Sequence, residues 1–125
     1  MLLVTGGAGF IGSNFALDWL AQTNEPVVNL DKLTYAGHLA NLVSLQDDHR
    51  HVFVRGDIGD KALVARLLAK HQPRSVVNFA AESHVDCSIH GPEDFVQSNI
   101  VGTFRLLESA RAHWSSLHSE AKQNF

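Results

Sequence analysis

A glycine-rich stretch near the start of the chain reads Thr5-Gly6-Gly7-Ala8-Gly9-Phe10-Ile11-Gly12 and directly follows the apolar run Leu2-Leu3-Val4. Two spacings overlap in it, Gly6-x-x-Gly9-x-x-Gly12 and Gly7-x-Gly9-x-x-Gly12. Such a loop between a strand and a helix permits a tight turn, lets backbone N–H groups approach a pyrophosphate, and brings the positive end of the helix to the negative charge. The stretch therefore predicts the first strand-loop-helix unit of a dinucleotide-binding domain.

Strand-like and helix-like segments alternate along the rest of the chain. Short apolar runs predict strands at 2–5, 26–31, 51–57 and 75–80. Helical periodicity is seen at 10–22 and 60–71 and behind Pro92, with a weaker short helix at 38–48. Mostly apolar strands of this kind suit a parallel sheet covered on both faces, joined by right-handed crossovers. The prediction is an α/β fold with a doubly wound, Rossmann-like parallel sheet in the order 3-2-1-4.

Local signals mark the ends of several helices. Asp60 is a predicted N-cap, Pro73 is a stop signal, and Pro92 suits a first helical turn in which Glu93 and Asp94 face the positive helix end. In the helix at 10–22, Ile11, Phe15, Leu17 and Leu20 recur at helical spacings. Behind Pro92, one long helix face is predicted from Phe95, Val96, Ile100, Phe104, Leu107 and Ala110.

Composition excludes several classes of protein. The 125 residues are 45% hydrophobic and 18% charged with a net charge of −3, so no basic surface indicates nucleic acid or an anionic membrane. No apolar run approaches the roughly 20 residues that span a bilayer, and the N-terminus lacks a signal-peptide pattern. The single cysteine, Cys87, fits a reducing compartment, and the eight histidines have no metal-ligand spacing. We expect a cytoplasmic domain with no structural metal.

The number of strands bears on domain organisation. Four strands fall short of the approximately six of a complete dinucleotide-binding sheet, and the last strand would leave an open edge. We therefore expect residues 1–125 to be the N-terminal part of an NAD-binding Rossmann domain, truncated after about four strands.

The end of the second predicted strand indicates which dinucleotide is bound. Asp31 lies 19 residues after Gly12, close to the roughly 20 expected for a carboxylate that binds the adenosine ribose hydroxyls. Because a carboxylate there repels a 2′-phosphate, NAD is favoured over NADP. The adjacent Lys32 either softens this preference or is a solvated surface lysine.

Two further strand ends are expected to line the same crevice, since ligands lie outside the carboxyl ends of parallel strands. Asp57 and Ile58 can pair with the adenine edge and pack on its face, although Asp57 can instead cap the helix that begins near Asp60. Ala80 and Ala81 are small enough for a cofactor to lie against the backbone. Asn29 and Asn78 interrupt apolar strands and are expected to hydrogen-bond loops near the crevice.

Three stretches together carry a family resemblance. Residues 5–14, Asp31-Lys32-Leu33-Thr34-Tyr35-Ala36-Gly37 and Ala80-Ala81-Glu82-Ser83-His84-Val85-Asp86 resemble the dTDP-glucose 4,6-dehydratase family of extended short-chain dehydrogenases/reductases, and Ser98-Asn99-Ile100-Val101-Gly102-Thr103 fits as well. The resemblance implies NAD-binding roles for Gly6, Gly9, Phe10, Ile11, Gly12, Asp31, Lys32, Leu33, Thr34, Asp57, Ile58, Phe79, Ala80, Ala81, Ser83 and Ser98. It also implies that Ser83 and His84 lie near the sugar of dTDP-glucose.

The resemblance implies an internal redox cycle and, for the full-length enzyme, a homodimer. NAD takes a hydride from C4 of the glucosyl ring, water leaves across C5 and C6, and the hydride returns to C6 to give dTDP-4-keto-6-deoxyglucose. The family's Tyr-x-x-x-Lys pair and Thr-Asp-Glu stretch are not found here: the only tyrosine is Tyr35, and Leu39 stands where the lysine would be. We therefore assign no catalytic residue and expect these residues alone to be inactive.

Three points stay open at the level of sequence. Cys87 occupies a position where the family commonly has arginine, with an unresolved effect on packing or on substrate binding. A non-catalytic NAD-binding or interaction module is an alternative to the dehydratase. A fragment of a related nucleotide-sugar epimerase, which shares the glycine loop, is another.

Overall fold

The computed structural model describes residues 1–83, 89, 91–123 and 125. Its four strands are β1 (Leu2–Thr5), β2 (Val27–Asp31), β3 (His51–Arg55) and β4 (Ser75–Asn78). They form one parallel sheet in the order β3-β2-β1-β4. This is the predicted doubly wound topology, with strands one to two residues shorter than predicted except at β1.

Helices alternate with these strands. They are α1 (Phe10–Gln22), α2 (Lys61–His71), α3 (Pro92–Val96), α4 (Thr103–Ser116) and α5 (Ser119–Gln123). The short helix expected at 38–48 is present as a tighter 3₁₀ helix at Leu39–Leu45. The Asp60 side chain accepts a hydrogen bond from the backbone N–H of Leu63, which confirms the predicted cap of α2.

The core lies on both faces of the sheet because alternate residues of a strand point to opposite sides. Leu2 and Val4 of β1 pack with Ala16 and Leu20 of α1 on one face. On the other face, β1 and β2 pack against α2 and α4, through Leu3, Val28, Leu30, Val64, Leu67, Leu68 and Leu106. The two central strands are therefore buried throughout, as a parallel sheet requires.

The segment behind Pro92 differs from the single regular helix that was predicted. A π-helical stretch, Gln97–Gly102, separates α3 from α4, and Leu106 is the buried residue of α4. Four residues of the predicted face, Val96, Ile100, Phe104 and Leu107, are exposed. We call these four residues the apolar stripe. Periodicity showed that they share a face, but it could not show what covers that face.

Within the described ranges, no helix combines the length and the apolar character needed to cross a membrane. Nor do three or more His, Cys, Asp or Glu side chains of those ranges come together as a possible metal site.

Candidate functional site

A crevice with an empty volume of about 580 Å³ opens at the carboxyl ends of the four strands. The crevice is lined by the segments that follow each strand, namely Gly6, Gly9, Leu30, Asp31, Lys32, Thr34, Ala36, Gly37, Gly56, Asp57, Ile58, Phe79, Ala80, Ala81, Glu82 and Ser98. Its position is the one where doubly wound sheets bind their ligands.

Two glycines of the loop are required by the fold itself. Gly6 has a φ of +68°, and a Cβ there would lie 2.4 Å from the backbone nitrogen of Ala80. A Cβ at Gly12 would lie 2.3 Å from the carbonyl oxygen of Gly6, so the start of α1 packs directly on the loop. These two positions need glycine whether or not a ligand binds.

Gly9 differs from both. Its φ of −74° and ψ of 172° are open to any residue. A Cβ there would meet nothing closer than the Gly6 carbonyl oxygen at 3.4 Å. Contacts within the protein therefore do not explain this glycine, which lines the crevice. The space that a side chain would fill is left open in front of the loop.

The N-terminus of α1 follows directly after Gly9, which is its N-cap residue and lines the crevice. The first-turn amides of a helix have no partner within the helix, and no side chain caps those of α1. Phe10 and Ile11 open the helix with exposed side chains. An anion in front of this turn would be bound by backbone amides and by the helix dipole.

Asp31 links the end of β2 to the glycine loop. The backbone N–H of Ala8 donates to its Oδ2 at 2.8 Å, and the backbone N–H of Leu33 donates to its Oδ1 at 2.7 Å. Leu33 adopts a left-handed conformation with a φ of 57°, which carries a conformational cost for a residue with a branched side chain. Since an ionised carboxylate has about four acceptor positions, Asp31 keeps capacity for ribose hydroxyls.

Lys32 forms an ion pair with Asp57 across the ends of β2 and β3, with 2.8 Å between Nζ and Oδ2. Lys32 is thus a surface lysine with a side chain that is 58% exposed, as one of the two expectations had it, but its ammonium is paired with Asp57. Partial burial raises the pKa of Asp57, but hydrogen bonds from Lys32 and from the Gly59 backbone outweigh it and leave that pKa below its ordinary value. The Asp57 side chain stabilises the turn at Gly59, whereas Asp60 caps α2.

The fourth strand end is held by a residue to which the sequence assigned no role. Asn99, in the π-helical stretch, accepts from the backbone N–H of Glu82 and donates to the Glu82 carbonyl, both at 2.8 Å. This pair of bonds fixes the segment after β4, while the neighbouring Ser98 lines the crevice. The only sequence signal was that Asn99 belongs to the stretch that carried the resemblance.

Two asparagines of the sheet, the buried Asn29 and the exposed Asn78, hydrogen-bond residues in or beside the glycine loop. The Asn29 side chain is fully buried and donates to the Gly7 carbonyl at 3.1 Å, and its Nδ2 lies 3.4 Å from Nε2 of His51. On β4, the Asn78 side chain accepts from the Thr5 hydroxyl. Asn29 thus hydrogen-bonds the glycine loop, as expected, whereas the partner of Asn78 is Thr5, the last residue of β1. Burial lowers the pKa of His51, although a hydrogen bond to the Leu45 backbone opposes that effect.

The predicted site residues divide into three groups. Those that line the crevice are Gly6, Gly9, Asp31, Lys32, Thr34, Asp57, Ile58, Phe79, Ala80, Ala81 and Ser98. Phe10, Ile11, Gly12, Leu33 and Ser83 are not among the lining residues; Gly12 is buried against the loop, and Leu33 packs against the α1 side of the core. His84 and Cys87 lie outside the described residues.

The fit of these groups to a dinucleotide rests on three observations. A Cβ at Gly9 would occupy the open space in front of the loop, and the first turn of α1 has amides that no side chain caps. Asp31 adds a carboxylate at the end of the neighbouring strand. These are the donors and the acceptor that a pyrophosphate and a ribose need.

Comparisons with known proteins find similar sequences and structures. Residues 3–123 match the family model described as GDP-mannose 4,6 dehydratase. A dTDP-glucose 4,6-dehydratase of Xanthomonas campestris pv. campestris is 58% identical over 98% of this chain. Only 35% of that relative is covered, so the chain spans about a third of the length of the curated relatives that it matches.

Two solved structures are similar over 90% of this chain. A dTDP-glucose 4,6-dehydratase from Streptomyces venezuelae with NAD bound is 49% identical with a TM-score of 0.85, and 36% of it is covered. A UDP-glucose 4-epimerase from Thermus thermophilus in complex with NAD is 37% identical with a TM-score of 0.78, and 34% of it is covered.

Proposed function

Because this chain belongs to the GDP-mannose 4,6-dehydratase family, we propose that it is the NAD-binding part of a dehydratase that acts on dTDP-glucose. The 58% identity to a dTDP-glucose 4,6-dehydratase supports this choice within the family. UDP-glucose 4-epimerases share the fold at 30–37% identity among the similar structures, so the epimerase alternative is the weaker one.

The open space at Gly9 is the observation that carries the cofactor assignment. The amides of Gly9, Phe10 and Ile11 would bind the pyrophosphate, which explains how Phe10 and Ile11 contribute although their side chains are exposed. Asp31, with Lys32, Leu33 and Thr34 beside it, would hold the adenosine ribose.

The adenine and the nicotinamide of NAD would lie at opposite sides of the crevice. Asp57 and Ile58 would receive the adenine, and Ile58 is buried at the crevice floor. On the other side, the segment from Phe79 to Ser83, together with Ser98, would border the nicotinamide. The hydrogen bonds between Asn99 and Glu82 would keep that segment in place.

Dehydration of the sugar nucleotide requires residues beyond those that bind NAD. When bound, NAD supplies a reversible hydride acceptor for C4 of the sugar. The tyrosine-lysine pair that assists hydride transfer, and the acidic stretch that handles water elimination, are not found in residues 1–125. We therefore propose that these residues bind NAD without turnover, and that Ser83 and His84 border the sugar in the longer protein.

A titration tests the cofactor assignment. Isothermal calorimetry of the chain with NAD should show one binding site. Gly9→Val should remove it by filling the cradle, whereas Ala65→Val, at an exposed position on α2, should leave it unchanged. Parent protein that gives no heat with NAD, or Gly9→Val that binds as well as the parent, would refute the assignment.

A second assay tests the catalytic part of the proposal. The chain incubated with NAD and dTDP-glucose should give no 4-keto product by NMR. A longer protein that continues into the missing tyrosine-lysine and acidic motifs should give it. Turnover by the 125 residues alone would show that those motifs are dispensable or replaced.

A homodimer and a cytoplasmic location complete the proposal for the longer protein. Support for self-association comes from the apolar stripe, whose side chains are 45–64% exposed. Contiguous apolar surface of this kind commonly marks an interface. Phe104→Lys should convert dimer to monomer in sedimentation; a longer protein that is monomeric before substitution would contradict it. The single cysteine fits the reducing cytoplasm.

A further inference from the structure

Lys32 is the cation next to Asp31 in the sequence, and both residues line the crevice. NADP differs from NAD by a phosphate on the adenosine ribose, the group that Asp31 is proposed to meet. A free lysine ammonium beside that ribose is a natural phosphate ligand. The preference between the two cofactors therefore depends on the state of Lys32 as well as on Asp31.

The ammonium of Lys32 is already engaged. Its Nζ lies 2.8 Å from Oδ2 of Asp57, and the backbone N–H of Gly59 donates to Oδ1 of the same carboxylate at 2.7 Å. The Gly59 bond anchors Asp57, so the flexible lysine is held by a fixed partner. No sequence pattern indicates this pair, because the two residues lie 25 positions apart and meet only through the pairing of β2 with β3.

The surrounding charges also favour the protonated form of Lys32. The hydrogen bond to Asp57 raises the pKa of Lys32, and the carboxylates of Asp94 and Glu82 raise it further. Arg105 is the other cation that acts on Asp57, and it donates to the Gly59 carbonyl at 3.2 Å. The lysine is thus fully charged but directed toward carboxylates.

We propose that Asp57 is a specificity-determining residue that favours NAD over NADP by engaging the Lys32 ammonium, which would otherwise be available to a 2′-phosphate. This inference rests on the proposed function, because it assumes that the adenosine ribose lies at Asp31. It assigns Asp57 a role toward the ribose in addition to the one proposed toward adenine.

A cycle of four proteins tests the proposal: the parent chain, Asp57→Asn, Lys32→Met and the double variant. The readout is the ratio of NADP affinity to NAD affinity, from calorimetric titration with each cofactor. Any loss of an adenine contact affects both cofactors alike and cancels in this ratio. Asp57→Asn in the parent should raise the ratio about fivefold, the size expected of a half-exposed ion pair.

The same Asp57→Asn change made in the Lys32→Met background should alter the ratio less than about twofold, because no ammonium is left to release. Asp47→Asn and Lys70→Met, which remove the same charges outside the crevice, should leave the ratio at the parent value. Thermal melts of all variants establish that each one is folded.

Several outcomes would overturn the proposal. An unchanged ratio in Asp57→Asn would show that Asp57 does not control the lysine. An equal rise in both backgrounds would show that Asp57 acts only through its own charge. In either case a parent that binds NAD would leave the proposed function intact, whereas a parent that binds neither cofactor would overturn both.

Discussion

Asp31 Oδ2 accepts a hydrogen bond from the backbone N–H of Ala8 at 2.8 Å, which ties the end of β2 to the glycine loop that follows β1. The carboxylate is only 8% exposed. It fixes the glycine loop, and we propose that its remaining acceptor positions bind the ribose. Substitutions at Asp31 are expected to affect stability and cofactor choice together.

Replacement of Asp31 by alanine should lower the free energy of unfolding by about 1–3 kcal/mol, since it leaves the Ala8 and Leu33 amides unpaired. It should also weaken NAD binding and narrow the advantage of NAD over NADP. Asp31→Asn keeps an acceptor oxygen and should cost less stability. Urea unfolding and titration with both cofactors measure these effects, and an alanine variant with unaltered cofactor preference would argue against the ribose role.

Substitutions of the loop glycines should affect either NAD binding or the stability of the fold, depending on the position. Gly9→Val should abolish NAD binding and change the free energy of unfolding by less than about 1 kcal/mol, since its Cβ meets no close contact. Gly12→Ala should destabilise the fold by about 2 kcal/mol or more, because its Cβ would overlap the Gly6 carbonyl. Equal destabilisation by the two substitutions in urea unfolding would contradict this separation.

Stability should fall in mildly acidic solution because of His51. Burial lowers the pKa of His51 in the folded protein, so the unfolded chain binds the proton more readily as the pH falls through about 6.5. Above pH 6.5, His51 is neutral in both the folded and the unfolded protein and does not lower the free energy of unfolding. Below pH 6.5, its protonation in the unfolded chain lowers the free energy of unfolding by at most about 1.4 kcal/mol per pH unit.

The matched comparison for His51 is unfolding at pH 7.5 and pH 5.5. His51→Gln should reduce the difference between the two free energies, whereas His118→Gln, at an exposed position before α5, should not. A His51→Gln protein with the parent's full acid sensitivity would show that other groups account for it.

The Asn99 side chain should control the order of the segment after β4. Asn99→Ala removes both hydrogen bonds to Glu82 and should cost about 1–2 kcal/mol. Hydrogen exchange at the Glu82 amide should accelerate in this variant. In Asn41→Ala, which loses a bond to the Ala8 carbonyl instead, the Glu82 amide should keep the parent rate. Unchanged Glu82 exchange in Asn99→Ala would exclude the positioning role.

The parts of the fold that depend on local sequence could be predicted. The glycine spacing after β1, the Asp60 cap and the alternation of short apolar runs with helical periods lead directly to the observed order β3-β2-β1-β4. The place of Asp31 at the end of β2, in the lining of the crevice, could be predicted for the same reason.

Contacts between distant segments could not be predicted. The Lys32–Asp57 pair and the Asn99–Glu82 bonds join residues 25 and 17 positions apart, and nothing in their local sequence indicates a partner. Periodicity shows that the residues of the apolar stripe share a face, but it does not show whether another element covers that face. The π-helical stretch likewise leaves no local signal in the pattern of apolar residues.

A crystal structure of the chain soaked with NAD tests the central claim most directly. We predict density for the pyrophosphate at the backbone amides of residues 9–11, in the space in front of Gly9, and for the adenosine ribose beside Asp31. Density for the cofactor at another surface, or an empty crevice at saturating NAD, would contradict it.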